Sequence, residues 1–412
     1  MNTQDDRRRD FGREWLGPVF AEFARRLELY VAAATQDPPA VVLYCARGGF
    51  RLRAIHELWL QRMGLNSTTR HEDFMISRLL ASKVALLHAP ELVIGTLCSE
   101  FAAQSLRALA SAFLPDTSAA LVSAQLSTPR LTAAADAEGI AWLFFGDHSL
   151  ARHLRMHAEE QHELLGDRLD ALCPDPAPRL LVDSGLYGRT QLLLDATWPK
   201  AEWHGVYFAR SNHCHQPAPH FKHATGLILE EDEFTYLVPE AAFLRYWHLI
   251  EAVLEPAIPS VRWLERRADE SIGSNMDNVA WQDAVGDDGN PFFAGILEHL
   301  NELGPSDRQH SRARFRDAMR GLQQAILSPR ISDIERMEVG ARGRDFGRDG
   351  YNSVLHHNDE NGWQARRRRI REALWSEGQV ALELAPFGTL LLRQRRRLGL
   401  LIDALRFLGR RH

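Results

Sequence analysis

The chain has 412 residues, of which 45% are hydrophobic, 25% charged and 9% aromatic, enough for two or three domains with real cores. Its 49 Lys and Arg against 54 Asp and Glu leave a formal net charge of -5, which excludes a generally basic nucleic-acid binder. Its 28 Gly and 19 Pro are ordinary usage and exclude a collagen-like or largely disordered chain.

The N-terminal stretch MNTQDDRRRDFGREW is charged and has no apolar h-region, so it does not read as a secretory signal. Residues 11–36 read as one amphipathic helix, with Phe11, Trp15, Leu16, Val19, Phe20, Phe23, Leu27 and Tyr30 mostly three or four apart. Pro38 and Pro39 stop it, and AVVLYCA (40–46) is a continuous apolar run suited to a buried parallel strand. Arg47-Gly48-Gly49 makes a turn, and helical spacing returns from Phe50 to Met63. The unit then repeats in kind. GIAWLFFG (139–146) reads as a strand, a helical stretch runs to about Leu172, and Pro174 to Pro178 is a linker. Residues 180–183 form another apolar strand, followed by a glycine-flanked loop and a helix from Arg189 to Thr197; EWHGVYF (202–208) gives one more strand. Strands alternating with helices imply an α/β fold with a parallel, doubly wound sheet.

Beyond about Leu237 long helical patterns dominate, at 241–254, 292–303 and 312–327, separated by polar loops such as GSNMDN and GDDGN. The expected division is an α/β domain over 11–237 and a mostly helical region over 238–412 with a basic amphipathic tail. In that tail PFGTLLLRQRRRLGLLIDALRFLGRRH mixes arginines with leucines at helical spacing. It fits a helix packed on the body with its arginines in water, the favoured reading, or an interfacial helix on an anionic leaflet. No run reaches the roughly 18 apolar residues of a membrane-spanning helix. Four cysteines (Cys45, Cys98, Cys173, Cys214) without a CxxC pair fit neither a disulfide framework nor a zinc knuckle, and the expected compartment is a reducing cytoplasm.

The segment LLVDSGLYGRTQ (180–191) carries the most chemistry. A strand ends in Asp183, Gly185 and Gly188 let backbone N–H groups approach an anion, and a helix starts at Arg189-Thr190 with dipole, guanidinium and hydroxyl. A carboxylate for hydroxyls beside a cradle for phosphate suits a sugar phosphate. The bland alternative is an ordinary strand–turn–helix with Asp183 as a helix cap. Arg47-Gly48-Gly49, at the end of another strand, could hold a diphosphate, and the two turns would face one crevice if their strands are neighbours. The His213-Cys214-His215 triplet with His220 and His223 is read as a His-rich loop rather than a metal site, and Cys45 as a buried small hydrophobe. No metal-ligand set is assigned.

The ordered motifs CARGGFRLRAIHELW, ISRLLASKVAL, VDSGLYGRTQ, HGVYFAR and EPAIPSVRWLE resemble, over roughly residues 15–350, the phosphoribosyltransferase-like module of bacterial polysaccharide-assembly proteins. The resemblance implies a phosphoribosyltransferase-type sheet. It also implies transfer of 5-phosphoribosyl from phosphoribosyl pyrophosphate (PRPP, with Mg²⁺) to a glycan acceptor, commonly lipid-linked at the cytoplasmic face, and release of pyrophosphate. In the family the module is often fused to a haloacid-dehalogenase-type phosphatase. No Asp-x-Asp follows an apolar strand here, so a separate phosphatase would remove the 5-phosphate.

Carried over by position, Arg47, Gly48 and Gly49 form the pyrophosphate-side loop, with Arg78 a further diphosphate ligand. Asp183 takes the ribose hydroxyls, and Gly185, Gly188, Arg189 and Thr190 take the 5-phosphate; Ser184, Tyr187 and Gln191 complete the PRPP-binding set. Asp183 and Arg78 are the catalytic candidates. Gly48 stands where the module usually has an aspartate and Tyr187 where it has a tryptophan, and the loop is one residue shorter. Two other readings stay open: a silent sugar-phosphate-binding module and a nucleobase-type phosphoribosyltransferase. The general base is unassigned, with Asp183 and the run 230–233 as acidic candidates.

Overall fold

The computed structural model describes residues 3–34, 39–102, 104–115, 129–173, 177–213, 215–286, 289–340, 342–343, 351–357, 360 and 362–409. Five strands build one wholly parallel sheet: β1 (Val41–Cys45), β2 (Arg70–Phe74), β3 (Arg179–Leu186), β4 (Trp203–Arg210) and β5 (Ala224–Glu230). Their order is β2-β1-β3-β4-β5. The helices used below are α1 (Gly17–Ala34), α2 (Gly48–Met63), α3 (Arg78–Ala85), α4 (Ser149–Leu172), α5 (Arg189–Thr197), α6 (Trp247–Leu254), α7 (Pro291–Glu302), α8 (Ser311–Leu327) and α9 (Gly388–Gly409).

The sheet is apolar throughout its centre because both faces are covered. Alternation along β1 sends Val42 and Tyr44 into one core, with α1, α2, α7 and α8, while Val41, Leu43 and Cys45 enter the other, with α3, α4 and α5. β3 does the same, with Leu180 and Val182 on the first face and Leu181 on the second. The first core continues without interruption into Leu249, Leu322 and Trp375, so it joins residues on both sides of position 237. Among the described residues, the regular structure of the C-terminal region is helical apart from two short two-stranded ladders, one pairing Leu264–Arg266 with Ile272–Ser274.

Several sequence expectations are corrected. The run 139–146 is not a strand but most of a helix, Ala137–Phe145: Asp136 caps it, its carboxylate accepting from Gly139 N at 2.7 Å, and Ile140, Leu143 and Phe144 are buried at helical spacing. A short apolar run does not by itself distinguish the two periods. The helix expected over 11–36 begins earlier, at Thr3, and passes through a π-helical turn at Gly12–Leu16 before α1; residues 35–38 lie outside the described residues. The helix expected over 241–254 is a 3₁₀ segment, Pro239–Arg245, followed by α6. The break falls at Tyr246, which is wholly buried, stacks on Trp375 at 4.3 Å and donates its hydroxyl to Met337 O at 2.8 Å. The linker read at 174–178 is described only from residue 177 onward.

Edge strands β2 and β5 have no counterpart in the sequence reading. β2 is RHEDF, of which only Phe74 is buried, and charge on an edge is how sheets discourage further pairing. β5 carries Gly226 and pairs with β4 through an irregular register.

Gly185 has φ +103, and a Cβ there would lie 1.8 Å from the Ala209 carbonyl oxygen, on backbone that cannot yield. Gly48 is different: a Cβ would meet only ordinary contacts at 3.6–3.7 Å. Gly185→Ala is therefore expected to cost at least about 3 kcal/mol in urea unfolding, and Gly48→Ala less than about 1 kcal/mol. Equal effects would contradict the close approach of β3 to β4.

Candidate functional site

In an open parallel sheet the crevice opens at the carboxyl ends of the strands where the winding reverses, and the order found here puts that point between β1 and β3. The two strands are paired neighbours up to Tyr44 and Val182, so the chain leaving β1 at Ala46-Arg47-Gly48 and the chain continuing through Asp183-Ser184-Gly185 flank one opening. A cleft of about 310 Å³ lies there. Its walls include Arg47, Gly48, Arg78, Asp183, Ser184, Gly185, Tyr187, Gly188, Arg189, Thr190 and Gln191, so eleven of the twelve sequence-derived candidates share it. Gly49 does not line it. That glycine serves packing instead, since a Cβ would fall 2.7 Å from the Val182 carbonyl oxygen.

Three helices, α2, α3 and α5, begin at the cleft, so their N-terminal N–H groups and dipoles bias it toward anions. At α5 the capping position is Gly188 in the left-handed region (φ 68), without a side-chain cap, so Asp183 is not the helix cap that the bland reading allowed. Asp183 turns back locally, accepting from Ser184 N at 2.7 Å. Burial pushes its carboxyl up to about 6, against the lowering effects of that N–H and of Arg78, while Glu255 raises it further.

Beneath the loop, Tyr207 is buried and fills the space that a Cβ at Gly188 or Gly205 would need. Its hydroxyl donates to Gln191 Oε1 at 2.8 Å, and the Gln191 amide reaches the Trp203 and His223 carbonyls. Gln191 is fully buried, so its side chain braces the loop from below. Tyr187 donates its hydroxyl to the Pro217 carbonyl and accepts on its own carbonyl from His220 Nε2 at 2.6 Å, joining the loop to the 212–223 segment.

The far wall comes from residues that the sequence reading left unassigned. α6 presents Trp247 and Glu251, and Glu255 follows it. Glu255 pairs with Arg47 at 3.1 Å, while Glu100 pairs with Arg78 at 3.1 Å and lies 3.9 Å from Arg189, whose guanidinium also donates to Ser99 Oγ at 2.8 Å. The last turn of α6 is held by Arg51, donating to Val253 O at 2.7 Å and stacked on Phe293, and by Asn290, donating to Ala252 O at 2.7 Å. Only Glu255 had a sequence signal, as the first residue of EPAIPSVRWLE; Glu100, Trp247 and Glu251 arrive from segments without a motif.

The cleft lining thus carries four carboxylates (Glu100, Asp183, Glu251, Glu255) against three guanidiniums (Arg47, Arg78, Arg189). Among the described residues no group of three His, Cys, Asp or Glu side chains is arranged to hold a metal ion. Of the histidine-rich segment, His213 lines the cleft and Cys214 lies outside the described residues. Cys45 is buried with its thiol pushed well up, which suits packing rather than nucleophilic attack. The acidic run 230–233 is not part of the cleft: Glu230 ends β5, and Asp232 accepts from Asn212 N at 2.8 Å. No helix among the described residues is long and apolar enough to cross a membrane.

In comparisons with known proteins, no family model and no curated protein matches the chain.

A carboxyl raised by burial favours the neutral form in the folded state. Its stabilising contribution is complete below about pH 4 and is lost as pH rises through about 6. Asp183→Asn removes that penalty, so the variant should be more stable than the parent at pH 8, by on the order of 1–2 kcal/mol, with the two converging near pH 4. Thermal melts across this range check it; a destabilised variant at pH 8 would mean the carboxylate is well solvated.

Proposed function

We propose that the cleft binds PRPP and that the protein is a phosphoribosyltransferase-type glycosyltransferase. It moves 5-phosphoribosyl to a glycan hydroxyl and releases pyrophosphate. The observation that carries this reading is convergence: two glycine turns on neighbouring strands, three arginines and the half-buried Asp183 meet in a single cleft at the switch point. The Arg189 end, with the α5 N-terminus, takes the 5-phosphate; Asp183 takes the ribose hydroxyls; Arg47 and Arg78 take the diphosphate.

The diphosphate displaces Glu255 and Glu100 from these arginines, and the excess of acid in the lining favours its entry as the Mg²⁺ complex, with the ion belonging to the substrate. As the C1–O bond to pyrophosphate breaks, the ribosyl carbon gains oxocarbenium character and the arginines stabilise the charge growing on the leaving group. An acceptor hydroxyl attacks C1 from the opposite face and loses its proton, so the α-donor gives a β-ribofuranoside. Trp247 and Glu251 form the wall open to that acceptor, an aromatic face beside a carboxylate. A separate phosphatase then removes the 5-phosphate. A lipid-linked acceptor would place the reaction at the cytoplasmic face of a membrane.

One observation favours binding without turnover as a second reading. A Cβ at position 48 would meet only ordinary contacts, 3.6 Å from Asp183 Oδ1, where the module that the sequence resembles usually carries an aspartate, and here the residue is glycine. Pyrophosphate release in the presence of glycan acceptors separates the two.

Titration calorimetry of PRPP, with and without Mg²⁺, should show micromolar, Mg²⁺-dependent binding. Absence of binding to PRPP, ribose 5-phosphate and pyrophosphate alike would end the proposal. Arg189→Ala should weaken PRPP by roughly 1.5–3 kcal/mol, because a bound phosphate loses a charge-assisted partner. Asp183→Asn should lower turnover at least about tenfold, equivalent to about 1.4 kcal/mol, while folding normally. Undiminished turnover would remove Asp183 from the ribose site.

A further inference from the structure

Helix α9 is amphipathic in the reverse sense. It meets the body mainly through polar and small residues. Arg396 donates to Gln323 Oε1 at 2.7 Å, Asp403 accepts from Tyr236 N at 2.8 Å and from Thr235 Oγ1 at 3.0 Å, and Gly399 lies against the Tyr236 ring. Leu392 is the buried apolar contact of this side. At about 100° per residue these positions share one face, and Leu390, Leu398, Leu401, Leu405 and Leu408 fall on the opposite one. All five are more than half exposed, Leu405 at 69%. Arg393 and Arg397 run along one margin of this leucine face, and Arg395 and Arg406 along the other.

We infer that this face docks on an anionic lipid bilayer, with the leucines in the acyl boundary and the arginine margins at the phosphates. Charge decides the occupant. Asp403 is the one acidic residue of α9, and it is turned into the body, so the outer surface carries cations only. A second copy docking through the same face would bring arginine margins against arginine margins, whereas an anionic leaflet neutralises both. The polar anchors on the inner side fix the leucine face outward, so a surface that would otherwise be a solubility liability faces where a membrane can cover it.

Flotation of the full chain tests this, with vesicles of phosphatidylcholine mixed with phosphatidylglycerol and of phosphatidylcholine alone, at low and high salt. Binding should require the anionic lipid and weaken with salt. It should drop at least about tenfold in Leu401→Ser/Leu405→Ser and in Arg395→Gln/Arg397→Gln. All four sites are exposed, and unchanged circular dichroism shows that the variants fold. No flotation with anionic vesicles, equal flotation with neutral ones, or a dimer in light scattering that the leucine variant dissolves would each overturn the inference. Because the inference uses nothing from the cleft, its failure would leave the reading of the cleft intact.

Discussion

Pairing of β1 with β3 across the reversal of winding is the constraint from which the rest follows. The two strands leave their shared register at Tyr44 and Val182, and beyond it each pairs only with its outer neighbour, β1 with β2 and β3 with β4, so the turns at Arg47-Gly48 and Asp183-Gly185 stand open toward each other. Burial of both sheet faces makes that pairing rigid. The glycines then follow from the spacing: Gly49 lets α2 start against Val182, and Gly185 lets β3 continue past Ala209 into the loop.

The electrostatics of the cleft are set by the same geometry. Arginines brought this close together would repel one another, and each is held beside an acid, with Glu100 bridging Arg78 and Arg189 and Glu255 meeting Arg47. These partly covered pairs keep guanidiniums ordered and available for exchange onto a better anion. Asp183 sits deeper, and its raised titration reflects a site built to hold a carboxylate at some cost in stability, a common mark of functional positions.

Strand–glycine–helix units were legible where a continuous apolar run ended in glycine, as at 41–49 and 180–189, because buried parallel strands and anion-suited turns leave that local pattern. The same rule misled at 139–146, where Asp136 caps a buried helix whose composition matches a strand. The charged strand β2 was invisible because an edge strand is buried by its neighbour and not by its own side chains. Within the site, the near wall was readable from three motifs, those of Arg47-Gly48, Arg78 and 183–191. The far wall was not, since Glu100, Trp247 and Glu251 are brought in by packing: Arg51 and Asn290 clamp the end of α6, and nothing local to 247–251 announces that clamp.

That clamp has a mechanical consequence. Arg51 lies on α2, directly after the Arg47-Gly48 turn, and grips the last turn of α6, directly before Glu255. The two sides of the Arg47–Glu255 pair are thus parts of one stiff jaw, tied through a fully buried guanidinium. Narrowing of the cleft around a ligand then falls to the opposite jaw, where Arg189 meets Glu100 and Ser99 through side chains and the Tyr187 loop is tied to the Pro217–His220 stretch by the Tyr187 hydroxyl and His220 Nε2.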